Sequence, residues 1–89
     1  MSKFPLGQVV ATPAALRELQ WLGINPIELI DRHARLDRGA LLASDHKLNE
    51  QALVDGTRLF SVYAYDNVKF WVITEADRSS TCLMLPSDY

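Results

Sequence analysis

The residues of this chain that could do chemistry are few and scattered. Two imidazoles (His33, His46), one thiol (Cys82) and the polar hexapeptide Thr74-Glu75-Ala76-Asp77-Arg78-Ser79 make up most of them. His33 stands out because its neighbours space as an amphipathic helix, with Ile27, Leu29, Ile30, Ala34 and Leu36 on the same arc. An imidazole on an apolar face loses free energy unless it finds a hydrogen-bond partner. It is read first as a satisfied core histidine, and second as a general base or pH-sensitive contact. The hexapeptide gathers two carboxylates, a guanidinium and hydroxyls, and hairpin register brings Arg58 beside Glu75. Arg58 and Arg78 could hold an anion there through charge-assisted hydrogen bonds. A buried Glu75 or Asp77 could move a proton. The alternative is a self-satisfied turn, with Asp77 bonding backbone amides and Arg78 pairing locally.

The other candidates are weaker. Arg32, Arg35 and Arg38 cluster, but Asp31 and Asp37 interleave them, which reads as a solvated helix face rather than a phosphate-binding patch. Cys82 is the only cysteine, so it has no intrachain disulfide partner; within an apolar run it reads as a small core hydrophobe in a reducing cytoplasm. The histidines and the thiol fall on three separate elements, too few and too dispersed for the four nitrogen or sulfur ligands of a structural zinc site. No metal and no cofactor is expected. GxxxxGKS/T, HExxH, paired CxxC and GxSxG are absent.

Composition bounds the rest. The 89 residues carry a formal charge of −2, with 48% hydrophobic and 22% charged residues, which suits one globular domain spanning 1–89 and excludes a disordered chain. An acidic balance supplies no electrostatic drive toward nucleic acid. No apolar run approaches the ~20 residues that cross a bilayer. Phe4 to Ala11 is mostly apolar, but Pro5, Gly7 and Gln8 interrupt it and only Lys3 precedes it, so it is not expected to be an export signal.

The elements that must position these residues follow from period and punctuation. Leu6 to Ala11 predicts a short strand. Thr12-Pro13 and Asn25-Pro26 each pair a capping side chain with a proline suited to a first helical turn. They predict helices to about Leu22, stopped by Gly23, and to about Asp37, stopped by Gly39. Ala15, Leu16, Leu19 and Leu22 share one face of the first, and Trp21 falls off it as an edge contact. Ser44 is expected to cap a third, weakly amphipathic helix from Asp45 to about Asp55, with Leu48, Ala52 and Leu53 as its apolar stripe and Asn49 among them.

From Thr57 the period changes to two. Thr57–Tyr65 and Val68–Thr74 flank Asp66-Asn67, a pair that tolerates positive φ and predicts a two-residue hairpin. The implied register sets Tyr65 against Val68, Tyr63 against Phe70, Ser61 against Val72, Val62 against Trp71 and Phe60 against Ile73. Ser80–Leu85 is a third strand, ended by Pro86. The fold class is α+β: a short N-terminal strand, two to three helices, then a three-stranded antiparallel meander. One sheet face would carry Leu59, Tyr63, Tyr65, Val68, Phe70, Val72, Cys82 and Met84; the other Phe60, Val62, Trp71, Ile73, Leu83 and Leu85. Neither is polar, whereas a sheet with one wet face alternates cleanly. Part of the apolar surface, Trp71 included, is therefore expected to meet an unidentified protein partner or a second copy.

The sequence resembles a family of small uncharacterised bacterial proteins encoded on plasmids and integrative elements, variously titled plasmid-related protein or restriction-system subunit. The stretches that carry the resemblance are Leu6-Gly7, Ala11-Thr12-Pro13, Arg32-His33, Asn49, Ala52-Leu53, Gly56, Arg58-Leu59, Ser61, Tyr63 and above all Trp71 to Ser79, with Thr81, Leu85-Pro86 and Tyr89. Arg38 stands where the family pattern has an aromatic residue. The resemblance implies a mobile-element setting and no mechanism. In element order alone the chain is also similar to the RelE/ParE toxins, whose ribonuclease members are basic; that reading would require His33, Arg58, Glu75 and Arg78 to converge on a phosphate. The favoured expectation is a non-enzymatic, cytoplasmic accessory module acting through protein–protein contacts, with His33, Arg58, Trp71, Glu75, Asp77 and Arg78 as candidate binding residues. A toxin and a small anion-binding domain are the alternatives.

Overall fold

A computed structural model describes residues 2–89. Strand β1 (Gln8–Ala11) leads into helices α1 (Pro13–Leu22), α2 (Pro26–Ala34) and α3 (Ala43–Asp55), and then into β2 (Leu59–Tyr65), β3 (Val68–Thr74) and β4 (Ser80–Met84); a short 3-10 turn, Pro86–Asp88, closes the chain. The sheet order is β1-β4-β3-β2, antiparallel except that β1 runs parallel to β4. The α+β meander read from the sequence is present, and β1 extends it to four strands.

Local signals act as their chemistry requires. Thr12 Oγ1 accepts the Ala15 amide at 3.2 Å, and Asn25 Oδ1 accepts that of Ile27 at 3.0 Å. Asp66 and Asn67 both take positive φ, which gives the β2–β3 turn the twist of its flanking strands; the pairs expected from Phe60–Ile73 to Tyr65–Val68 are in place, and the ladder stops at Leu59–Thr74, short of the expected Arg58–Glu75 pair. A Cβ on Gly7 would collide with the backbone of Arg78 and Ser79, so glycine lets β1 enter against β4.

Several expectations need correction. α2 ends at Ala34, three residues short of Asp37, because Leu36 turns to a φ of 58° and packs beside Phe4, Ala52 and Leu59. α3 begins at Ala43 with Leu42 at its cap, not at Ser44, and of its expected stripe only Ala52 is buried while Leu48 and Leu53 face solvent. Leu16 and Ile27 are also exposed, and Trp21 is 86% exposed rather than an edge contact. β4 has the opposite facing from that expected: Val72 pairs with Leu83 and Ile73 with Cys82. Thr81 and Leu83 therefore share a face with Leu59, Ser61, Tyr63, Phe70, Val72 and Thr74, and Cys82 and Met84 lie on the other. Turn length set that parity, and Glu75 to Ser79 has no turn signal as sharp as Asp66-Asn67.

All three helices pack on the first of these faces, the inner one. Ala15 and Leu19 of α1 and Leu29 of α2 join Tyr63, Phe70, Val72 and Leu83 in the main core, and Ala52 of α3 joins Phe4 and Leu59 in a second.

Candidate binding surface

His33 lies in the inner layer, sealed beneath Phe4, whose ring meets the imidazole edge-on at 5.2 Å. Its Nδ1 is 2.7 Å from Ser61 Oγ and its Nε2 2.8 Å from Thr74 Oγ1. Thr74 Oγ1 is in turn 2.7 Å from Thr81 Oγ1, which donates to the Leu6 carbonyl at 2.7 Å. Each hydroxyl has one proton, so the direction of the chain is determined. Thr81 spends its proton on Leu6, Thr74 must donate to Thr81, His33 Nε2–H donates to Thr74, and Ser61 donates to Nδ1. Burial pulls the imidazole down to about 4, so it is neutral at pH 7. This is a histidine whose two nitrogens are occupied in holding α2 to β2 and β3.

The polar hexapeptide is satisfied partly within itself and partly by distant groups, because Arg78 reaches beyond the local pairing expected of it. Asp77 Oδ1 accepts the Ser79 amide at 3.0 Å, and these bonds to Ser79 hold its carboxyl below the usual carboxylate range. Arg78, at φ 59°, directs its guanidinium onto main-chain carbonyls: Thr57 at 2.7 Å, Ala52 at 3.0 Å, Glu75 at 3.2 Å and Ala76 at 3.3 Å. It ties the end of α3 and the start of β2 to the β3–β4 turn. Glu75 is exposed on that turn, and Arg58 bonds the Tyr89 hydroxyl rather than Glu75.

The outer sheet face is built differently. Phe60, Val62, Trp71, Cys82 and Met84 project from it half-buried, with Ile73 buried among them. Trp71 meets Phe60 edge-on at 5.0 Å and Tyr89 at 5.6 Å. Arg58 lies over the Tyr89 ring at 5.6 Å and donates to its hydroxyl at 2.9 Å. The result is a continuous row, Phe60–Trp71–Tyr89–Arg58, held by the C-terminal turn, where Asp88 Oδ2 accepts from Thr12 Oγ1 at 2.6 Å and the Leu85 amide at 3.0 Å. Phe60 also lines an open groove of about 460 Å³ between α3 and β2, with Leu48, Asp45, Asp55 and Arg58 along its sides. Burial pushes the Cys82 thiol up, which disfavours a thiolate on this face.

Arg58 and Trp71 are thus brought onto one surface. His33 is sealed on the opposite side of the sheet, and Glu75, Asp77 and Arg78 occupy the end of a hairpin. Two features escape sequence reasoning. Asn49 places its carboxamide against the β2 edge, donating to the Phe60 carbonyl at 2.6 Å and accepting its amide at 3.0 Å, as another strand would. An asparagine on an apolar stripe was the available signal. Arg32 is no solvated helix residue: its Nε bonds Asp37 at 2.8 Å, its Nη1 bonds the Tyr65 hydroxyl at 2.9 Å, and its guanidinium stacks 4.3 Å over the Tyr63 ring. Its hydrogen bond holds Asp37 below the usual carboxylate range, and burial pushes the Tyr63 phenol up to about 12.

Among the described residues, no group of three or more acidic, histidine or cysteine side chains is placed to hold a metal, and no helix is long and apolar enough to cross a membrane. The chain matches no family model, no curated protein and no solved structure.

Proposed function

We propose that this protein is a small cytoplasmic binding module that docks a protein partner on its outer sheet face. The observation that carries the reading is the row Phe60–Trp71–Tyr89–Arg58 on the sheet face opposite the one on which α1, α2 and α3 pack. Tryptophan, tyrosine and arginine are the side chains that most often dominate binding energy, because they combine large apolar area with a fixed polar group. The groove beside Phe60 extends the surface with Leu48 and the charged side chains Asp45, Asp55 and Arg58 among its lining. An accessory role on a bacterial mobile element, as the family resemblance implies, belongs to the same proposal. The toxin and anion readings draw no support from Arg78, whose donors are spent on carbonyls, or from His33, which no substrate reaches.

The test is affinity capture from a bacterial extract with wild type, Trp71→Glu and Val54→Glu. Val54 is 82% exposed on α3, away from the sheet. Partner capture should be lost with Trp71→Glu and kept with Val54→Glu. Equal capture by all three would refute the assignment of the outer face.

A further inference from the structure

The two edges of the sheet are finished in opposite ways. The β2 edge is closed by the Asn49 carboxamide on Phe60 and by the Ala40 amide, which donates to the Val62 carbonyl at 2.8 Å. A Cβ on Gly39 would strike the Tyr63 ring and the Val62 carbonyl, so the linker lies directly on that edge. The β1 edge has no such cover. The Gln8 amide donates to Ser79 at 3.0 Å and the Thr12 amide to Leu83 at 3.0 Å. Positions 8, 10 and 12 therefore turn their backbone toward β4, and Val9 and Ala11 turn theirs off the sheet. No loop, cap or side chain among the described residues bonds them. The edge carries no charge and no proline, and Val9 and Val10 are 47% and 41% exposed. Natural sheets usually guard such an edge, because its unpaired amides template another strand.

We propose that the chain self-associates by pairing the β1 edges of two copies, antiparallel about a two-fold axis through Val10. The register follows from which residues face outward. Pairing Val9 with the second copy's Ala11 gives two hydrogen bonds, and the symmetry axis doubles them. An axis through Val9 would need Gly7, whose φ of 63° is not extended; one through Ala11 would need Pro13, which has no amide proton and begins α1. Only the axis through Val10 keeps all four bonds between extended residues.

The side chains agree with this register. Val10 meets its own copy at a non-hydrogen-bonded pair, where side chains approach most closely. Gln8 lies across from Thr12, on the side of the sheet that holds the C-terminal turn. Asp88 Oδ2 takes both the Thr12 and the Leu85 bonds, so Oδ1 is available to the incoming Gln8 carboxamide. No like charges meet within residues 8–12. This self-complementarity is the argument for a second copy as occupant. Pairing would join the sheets of the two copies into one of eight strands and turn both outer faces to the same side. It is a separate surface from the partner site proposed above and does not depend on it.

Disulfide trapping tests the register. Val10 and Cys82 are neighbours within one chain, so Val10→Cys is made together with Cys82→Ser, and Val54→Cys with Cys82→Ser is the control. Under mild oxidation the first should form covalent dimer about tenfold faster or more, because pairing raises the local thiol concentration. Sedimentation velocity on wild type should show a concentration-dependent dimer that Val10→Lys removes and Trp71→Glu keeps. Equal cross-linking by the two cysteine variants, or a wild-type monomer up to ~1 mM, would overturn the proposal. So would a dimer that survives Val10→Lys and is lost with Trp71→Glu, which would move self-association to the outer face. Should Val10→Lys fail to fold by circular dichroism, the cross-linking rates decide.

Discussion

The two faces of one sheet have opposite fates. The inner face is covered by three helices, and side chains there are buried even where they are polar: Ser61, Thr74 and Thr81 sit beside Tyr63, Phe70 and Leu83 because His33 bonds Ser61 and Thr74, and Thr81 is bonded by Thr74 and the Leu6 carbonyl. The outer face is equally apolar in sequence, yet among the described residues only the C-terminal turn and Tyr89 lie on it, and most of its large side chains are half-buried. Apolar content alone does not distinguish a core from a binding surface. The difference is which face the helices pack on: α1, α2 and α3 form one layer, and it lies on the inner face.

This contrast can be broken experimentally. Phe70→Ala empties the centre of the inner layer and should cost about 3–5 kcal/mol, a large share of a small domain's stability. Urea denaturation would measure it, and a cost below about 1 kcal/mol would deny the inner face its role as the core.

The second effect depends on pH. His33 lies at about 4 in the folded protein and titrates near 6.5 when unfolded. Between those values the unfolded chain binds more protons, so stability is full above pH 6.5 and is lost as pH falls toward 4. The loss should be on the order of 3 kcal/mol. His33→Gln should remove that slope from denaturation curves recorded across the window. A slope unchanged in the variant would assign the acid sensitivity to another group.

Arg78→Ala removes the donors to Ala52 and Thr57 and should cost about 1–2 kcal/mol. Hydrogen exchange should quicken first at the end of α3. The smallest stability effect sharpens the comparison from the other side. Trp71→Glu loses two edge-on aromatic contacts on the half-buried outer face and leaves the side chains packed beneath the helices in place, so a cost near 1 kcal/mol is expected. Partner capture should fall much further. If Trp71→Glu unfolds the chain as Phe70→Ala does, the outer face is structural after all.

The sequence was most legible where interactions are local. Thr12-Pro13, Asn25-Pro26 and Asp66-Asn67 set their caps and turn through atoms a few residues apart, and the whole β2–β3 register followed. Legibility failed where a distant contact overrode the pattern. Leu36 left the helical arc to fill a second core, and α3 buried Asn49 and Ala52 while exposing Leu48 and Leu53. Arg32 looked solvated because its partners Tyr63 and Tyr65 lie about thirty residues away and meet it only when α2 packs on the hairpin. Of the candidate site, Arg58 and Trp71 are legible in the sequence as candidates, but the link between them runs through Tyr89, which no periodicity connects to either.

By itself, then, the sequence determined the elements, the hairpin register and the excess of apolar sheet surface, because spacing, caps and turn residues act over a few bonds. Tertiary structure alone decided which face of β4 turned inward, that β1 pairs parallel to β4, that His33 closes a buried hydroxyl chain, and that one sheet edge is capped while the other stays open. Those outcomes depend on how distant segments share a limited layer of helices, and only packing the whole chain resolves that competition.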